Sequence, residues 1–368
     1  LKRVVFVLMW ALATLGSYAQ PAQKVTLNIL SYEGYTPEQT NKEFIEFVHK
    51  QFQVDLTINV TSISSEKQLF DLVRAKVADI FTPGMDLIQD ERFNYIKNKL
   101  AAPLNLDNIP NYKNLLPAND RPGYLTHDGK VYGTAIAGGG YWIAYRKSKF
   151  PTPPNSYSVF WQPENKGRYV IGDYSAHQAY LVALALNIKG EDLFNFDKLF
   201  RDWEFREKYA YLHQNQKRNW NATDKAADFA DVDLGLAYGF GIKELWKSNS
   251  DWYMVIPKEG QLRWIDNLMI NAALSKDPLK TQIAEAFVNF VLSHEYQHKV
   301  MLEGVGCEPV VCEVLDCVNW SQYPGLVHLK NTTSKTRIEY IQPLNQRDRN
   351  RFELQYKNAL QNKPLFVP

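Results

Sequence analysis

Residues 25–39 read VTLNILSYEGYTPEQ. Val25, Leu27 and Ile29 alternate with Thr26 and Asn28, which predicts a short strand over 25–30. Thr36-Pro37-Glu38-Gln39 then offers a hydroxyl at an N-cap, a proline in the first turn and a glutamine at the capping-box position, so a helix is expected to start there. A strand that enters a helix through Ser31-Tyr32-Glu33-Gly34-Tyr35 is the first half of a parallel β/α unit. Open α/β sheets place ligands at the carboxyl ends of their strands, which is where this loop lies.

Downstream, Phe44, Ile45, Phe47 and Val48 recur at helical spacing, 54–60 returns as a strand, 66–76 reads as a helix and 79–82 as a strand. Pro83-Gly84-Met85-Asp86 follows as a turn on the same rim, and a charged helix is expected over 92–99. Residues 101–128 carry proline, asparagine and leucine without periodicity. Strands over 131–136 and 141–146 flank Ala137-Gly138-Gly139-Gly140, which is expected to form a hinge or tight turn. No Lys-Ser or Lys-Thr pair follows that run, so it is not read as a phosphate cradle. A second strand–loop–helix unit follows: strand 169–171, the loop Gly172-Asp173-Tyr174-Ser175, and an apolar helix 176–188. Strands over 233–238 and 253–257 precede QLRWIDNLMI at 261–270, expected to return the chain to the first lobe. The amphipathic stretch 280–292 and a charged helix over 345–361 complete the chain.

A chain of 368 residues exceeds one ordinary core and predicts two lobes. Residues 1–19 are expected to be a secretory signal: Lys2 and Arg3 form a basic head, 4–15 an apolar core too short to span a bilayer, and Ser17-Tyr18-Ala19 a small-residue cleavage site. The expected division is 20–136 with 258–315 for lobe 1, and 137–257 with 316–368 for lobe 2, including a C-terminal helix. Without Lys2 and Arg3, 40 basic residues face 40 acidic ones, which argues against a nucleic-acid partner. Cys307, Cys312 and Cys317 crowd one stretch, where one bridge and one free thiol are expected. They form no CxxC pair and have no histidine nearby, which argues against zinc.

Two patterns carry chemistry. Trp264 and Asp266 set an aromatic face beside a carboxylate, the minimum apparatus for an organic cation, although a core tryptophan beside a surface acid reads the same way. His294-Glu295-Tyr296-Gln297-His298 matches HExxH, the helical pattern of zinc metalloproteases. Ser293 is placed to cap a helix at that point, leaving His294 in a frayed first turn, which argues against a zinc enzyme. No serine or cysteine catalytic arrangement is visible, and no cofactor is expected.

Taken in order, SYEGY near the start, Trp161-Gln162-Pro163-Glu164-Asn165-Lys166-Gly167, Leu234-Gly235-Leu236-Ala237-Tyr238, and Pro257-Lys258-Glu259-Gly260 leading into Trp264-Ile265-Asp266 resemble the extracellular solute-binding proteins of ABC importers. Within that family the chain is most similar to the spermidine/putrescine-binding branch. The resemblance implies an α/β, two-lobe periplasmic-binding-protein fold of type II with the ligand cleft between lobes. It implies a monomer in the periplasm that binds a polyamine of the putrescine, spermidine or norspermidine type, performs no catalysis, and delivers the solute to an inner-membrane ABC permease. The alternative partner is a membrane sensor for which the chain acts as polyamine-sensing co-receptor. By position, Tyr32 and Tyr35 would be first-lobe aromatic walls, Tyr238 a second-lobe wall, Trp264 a stacking plate and Asp266 the carboxylate for an amine. Glu33 and Asp86 lie beside family contact positions. At the second-lobe junction, where the family carries two acidic ligands, this chain has Asp173, Tyr174, Ser175, His177 and Gln178. Asp173 and Gln178 are carried over as contacts. Cys307 stands in place of a family tyrosine, and Gln342 matches a family glutamine.

Overall fold

The computed structural model describes residues 23–367 apart from 64, 222, 249–250, 313 and 315–336. The expected signal and Cys317 therefore lie outside the described residues.

The opening unit forms as expected: β1 (Gln23–Ser31), α1 (Glu38–Phe52), then β2 (Val54–Ser62), parallel to β1. The capping differs. Pro37, not Thr36, occupies the N-cap and no side chain caps it, while the Thr36 carbonyl accepts from the Asn41 side chain. α2 (Glu66–Arg74) is capped by Ser65 and leads to β3 (Ile80–Phe81), which also pairs parallel to β1. The expected turn at Pro83–Asp86 instead opens a short helix, α3 (Met85–Gln89). The helix expected over 92–99 is a run of turns. Asp90 takes the Arg92 backbone N–H and guanidinium, Asn94 takes the Lys97 N–H, and Lys99 adopts a left-handed φ of 55°. Such local side-chain bonds compete directly with a helical ladder.

A two-strand hairpin, β4 (Thr126–His127) and β5 (Lys130–Val131), precedes β6 (Thr134–Gly140). The glycine run is thus strand, not a tight turn. β6 pairs antiparallel with the long strand β12 (Gln261–Ile270), Gly139 opposite Trp264 and Ala137 opposite Asp266. Tyr141 separates β6 from β7 (Trp142–Arg146), which belongs to the other sheet. That sheet contains β8 (Tyr169–Gly172), β9 (Arg218–Trp220), β10 (Leu234–Ala237) and β11 (Trp252–Val255). Its order is β11-β7-β10-β8-β9. The first sheet runs β13-β12-β3-β1-β2, with β6 also on β12 and β13 spanning Ile338–Tyr340. Residues 137–140 and 338–340, expected in lobe 2, therefore lie in the lobe 1 sheet. The glycines fit there because a paired strand needs no side chain where another residue covers it.

The second sheet is flanked by α4 (Ser175–Ala185), α5 (Phe196–Arg201), α6 (Trp203–Gln214) and α7 (Phe240–Lys247). On the first sheet pack α8 (Pro278–Val291) and α9 (His294–Tyr296), the latter widening into π-helical turns over Gln297–Val305. The C-terminal helix α10 (Gln346–Leu360) leaves the first sheet after β13 and packs on the second lobe, where Phe352 meets Tyr180, Phe196 and Phe200. Edge-to-face ring pairs of this kind add to plain apolar burial. Among the described residues no helix is long and apolar enough to cross a membrane.

Two crossings join the sheets side by side. The first is β6–Tyr141–β7; the second runs from β11 into β12 and is tied to the first by Tyr141 N–H to Leu262 O and Trp142 Nε1 to Gln261 Oε1. A buried ion pair, Arg263 with Glu308, stands beside them, and Gly138 and Glu308 exchange backbone hydrogen bonds.

Candidate functional site

Every residue of β12 is buried except Trp264 and Asp266, which alternate onto one face. The strand period of two puts the ring and the carboxylate on the same side. Asp266 bridges Gly84 at the start of α3, so it sits at the carboxyl end of β3. A Cβ on Gly84 would lie 2.7 Å from Asp86 Oδ1 and 3.6 Å from Asp266 Oδ1, so both carboxylates converge on one point. Burial is the main reason that Asp266 is pushed up to about 7, the field of Asp86 adding to it and the Tyr35 hydrogen bond opposing it; Asp86 is pushed up to about 6 by burial first, then by the fields of Glu66 and Asp90. A pair of half-buried, poorly solvated carboxylates without a cation is costly, which is the condition that favours binding one.

The β1–α1 loop supplies the neighbouring wall. Gly34 takes φ 85°, which turns the loop so that Tyr32 and Tyr35 meet edge-to-face with ring centres 5.8 Å apart. Tyr35 is buried, donates to Asp266 Oδ2 at 2.6 Å and lies 3.8 Å from Cys307 Sγ. Its backbone carbonyl accepts from the Tyr296 hydroxyl, which ties the loop to the end of α9. Glu33 points to solvent and makes no part of this cluster.

The second lobe contributes rings. Tyr238 meets Trp264 edge-to-face at 5.9 Å across the lobes, and packs on Trp220 and Tyr141 at 5.0 and 4.5 Å. Its hydroxyl is 2.5 Å from that of Tyr141, which is 2.9 Å from His177 Nδ1. Tyr174 stacks on His177 at 5.1 Å, and the charges of Asp86 and Asp266 reach its hydroxyl. Burial lowers His177 to about 4, which keeps the imidazole neutral. Asp173 is partly buried at the end of β8, with its N–H bonded to Trp220 O, and burial raises its carboxyl. Gln178 is fully buried in α4, and neither atom of its amide has a partner. Asp224, the other buried acid here, accepts from the N–H groups of Tyr238, Gly239 and Gly241, so it builds the turn that presents Tyr238.

Tyr32, Tyr35, Asp86, Tyr238, Trp264 and Asp266 are thus brought together, Asp173 and Gln178 stand on the β8–α4 edge, and Glu33 stands apart. Sequence reasoning did not single out Tyr141 or Trp220, and it named Tyr174 and His177 at the second-lobe junction without carrying either over as a contact. Their one legible signal is position, since Tyr174 and His177 follow the carboxyl end of a strand. Gln342 is exposed and bonds Tyr340 O, outside this cluster.

The cysteines depart from expectation. Cys307 and Cys312 are both free thiols: Cys307 is buried against Tyr35, and Cys312 donates to Leu115 O. Burial pushes the Cys307 thiol upward, so it stays neutral beside Asp266. The HExxH pattern falls where Ser293 caps α9 by accepting from Tyr296 N–H. His294 and His298 stack at 6.1 Å, and among the described residues no cluster of three or more His, Cys, Asp or Glu side chains gathers around them or elsewhere.

Two further contacts run between the lobes. Lys243 of α7, 6% exposed, donates to Gly304 O at the end of the π-helical segment, and Arg349 of α10 pairs with Asp90 at 2.7 Å.

A family model described as bacterial extracellular solute-binding protein matches residues 75–319. Among solved structures, the putative spermidine/putrescine ABC transporter of Listeria monocytogenes is 21% identical with a TM-score of 0.65, covering 90% of this chain and 98% of that one. The spermidine/putrescine ABC transporter substrate-binding protein PotD of Streptococcus pneumoniae is 18% identical with a TM-score of 0.68, covering 92% and 100%. An ABC transporter solute-binding protein of Thermotoga lettingae, bound with α-D-tagatose, is 13% identical with the same TM-score of 0.68, covering 93% and 95%. At these identities the likeness speaks for the two-lobe fold alone.

Proposed function

Because the chain belongs to the bacterial extracellular solute-binding protein family, we propose that it binds a small amine-bearing solute in the cleft between its lobes and delivers it to a membrane-embedded ABC permease. Polyamines of the putrescine, spermidine and norspermidine type are the first class to try. The observation that carries this reading is Asp266: a carboxylate raised by burial, held by Tyr35 and framed by Tyr32, Tyr238 and Trp264. An ammonium relieves the desolvated charge, and the rings cover the alkyl chain and attract the cation through their faces. Lobe closure completes the cage, and the closed shape is what a membrane partner reads. No covalent step is required of any residue in the cluster.

The test is a thermal-shift series with putrescine, cadaverine, spermidine, norspermidine and simple monoamines, beside sugars and inorganic anions. Ligand at about 100 times its Kd adds roughly 2.7 kcal/mol to stability. Stabilisation by a sugar or an anion, with none from any amine, rejects the proposal.

A further inference from the structure

The charges along the first-lobe wall of the cleft do not balance. Four carboxylates stand there: Asp266 on β12, Asp86 and Asp90 at the two ends of α3, and Glu66 at the start of α2. Two guanidiniums face them. Arg92 pairs with Asp90 at 2.8 Å and with Glu66 at 3.5 Å, and Arg349 reaches Asp90 from the second lobe at 2.7 Å. Among the described residues, no cation reaches the carboxyl of Asp86 or Asp266. Their oxygens share one point over Gly84, 2.7 Å and 3.6 Å from a Cβ built there, so they are no farther apart than those two lengths laid end to end. Asp86 accepts from its own N–H and from that of Leu87, which fixes the carboxylate and leaves lone pairs over. Phenol oxygens surround the same spot. Tyr95 is fully buried, its hydroxyl has no hydrogen-bond partner, and the charges of Glu66, Asp86 and Asp90 reach it. The hydroxyls of Tyr32 from the first lobe and Tyr174 from the second both lie in the field of Asp266, Asp86 and Glu66. Buried polar groups are normally partnered, and beside two uncompensated anions the fitting partner is a cation with several N–H donors.

Resting on the ammonium site proposed above at Asp266, we infer that the solute carries a second ammonium held at Asp86, so that the rim at the end of β3 takes both charges on one lobe. Two uncompensated carboxylates match a dication, whereas a single ammonium leaves one poorly solvated charge unpaired. Bonds of about 1.5 Å put ammoniums three or four carbons apart at roughly 5–6 Å, the spacing that such close carboxylates favour. The solute class is therefore a short diamine, or a longer polyamine with one end of that spacing.

Isothermal titration with α,ω-diamines of three to six carbons, beside plain alkylamines of the same lengths, tests this. The three- and four-carbon diamines are expected to bind at least tenfold tighter than the six-carbon diamine and than any alkylamine. Asp86→Asn keeps an oxygen for the N–H groups of α3, and is expected to weaken the short diamines at least tenfold while the alkylamines stay within threefold. Asp173→Asn is expected to leave all of them within threefold. Equal losses for diamines and alkylamines in Asp86→Asn would show one ammonium shared by both carboxylates. A tenfold loss of diamine in Asp173→Asn would put the second ammonium on the other lobe. Either result, unchanged diamine affinity in Asp86→Asn, or no preference for a diamine over an alkylamine overturns the inference and leaves the ammonium site standing. Failure of every amine in the set removes both.

Discussion

The Tyr35 hydroxyl donates to Asp266 Oδ2 at 2.6 Å, joining the loop after the first strand to the long strand that crosses between the sheets. This bond stabilises the ionised carboxylate against the burial that pushes it toward neutrality. Asp266→Asn is therefore expected to weaken amine binding by at least about tenfold while leaving the fold intact, because hydrogen bonds to charged groups contribute about 1.5–3 kcal/mol. Titration calorimetry checks it, and unchanged affinity would remove Asp266 from the site.

Tyr35→Phe keeps the ring and loses the donor. The carboxyl of Asp266 should then rise further above 7, so amine affinity at neutral pH falls and recovers partly at higher pH. A uniform loss at all pH values would mean that the hydroxyl touches the solute itself.

Asp266 and Asp86 are raised to about 7 and about 6 from ordinary values near 3.8. The folded protein thus holds protons that the unfolded chain has released. The stabilisation from these groups is complete below about pH 3.8 and is lost as pH rises through 6 to 7. Unliganded protein should lose this increment progressively between about pH 4 and 7, while affinity for an organic cation rises toward pH 7 and levels off above it. Melting curves across pH, with and without amine, measure both. Asp266→Asn should flatten the upper part of the profile.

Trp264 lies flat on Gly139, and a Cβ on that glycine would stand 2.7 Å from the indole Cε2. Gly139→Ala is expected to displace the ring, cutting amine affinity and costing about 1–3 kcal/mol of stability by overpacking. Unaltered tryptophan fluorescence and affinity in that variant would show that the strand yields instead.

Arg263 and Glu308 are 7% and 2% exposed. Removing one member leaves an unpaired buried charge, so Glu308→Ala should cost about 3–5 kcal/mol in denaturant unfolding. Replacing both with apolar residues should recover much of the loss.

The sequence announced its strand–loop–helix units clearly, because apolar alternation and cap residues are local. Tyr32, Tyr35, Asp86 and Asp266 were legible for the same reason: each follows or lies on a strand whose end is easy to place. The glycine run was not, since three glycines look like a bend until the indole that covers Gly139 is seen. The segment 92–99 failed because Asp90 and Asn94 capture the N–H groups a helix would need. The Tyr238–Tyr141–His177 chain was illegible because it assembles from the end of β10, one crossing and a helix start that only the packed structure brings together.

The ladder between β6 and β12 has a mechanical consequence. Its rungs run from Gly140 opposite Arg263 to Thr134 opposite Leu268, and both strands leave for the second sheet at the same end. A two-stranded ribbon yields to twist and bend far more readily than to shear, because sliding breaks every rung at once while rotation breaks none. The two strands therefore keep their register where they leave the first sheet, with Gly140 and Gln261 side by side at that exit. Any change in the angle between the sheets is expected to be taken up beyond that exit and not inside the ladder.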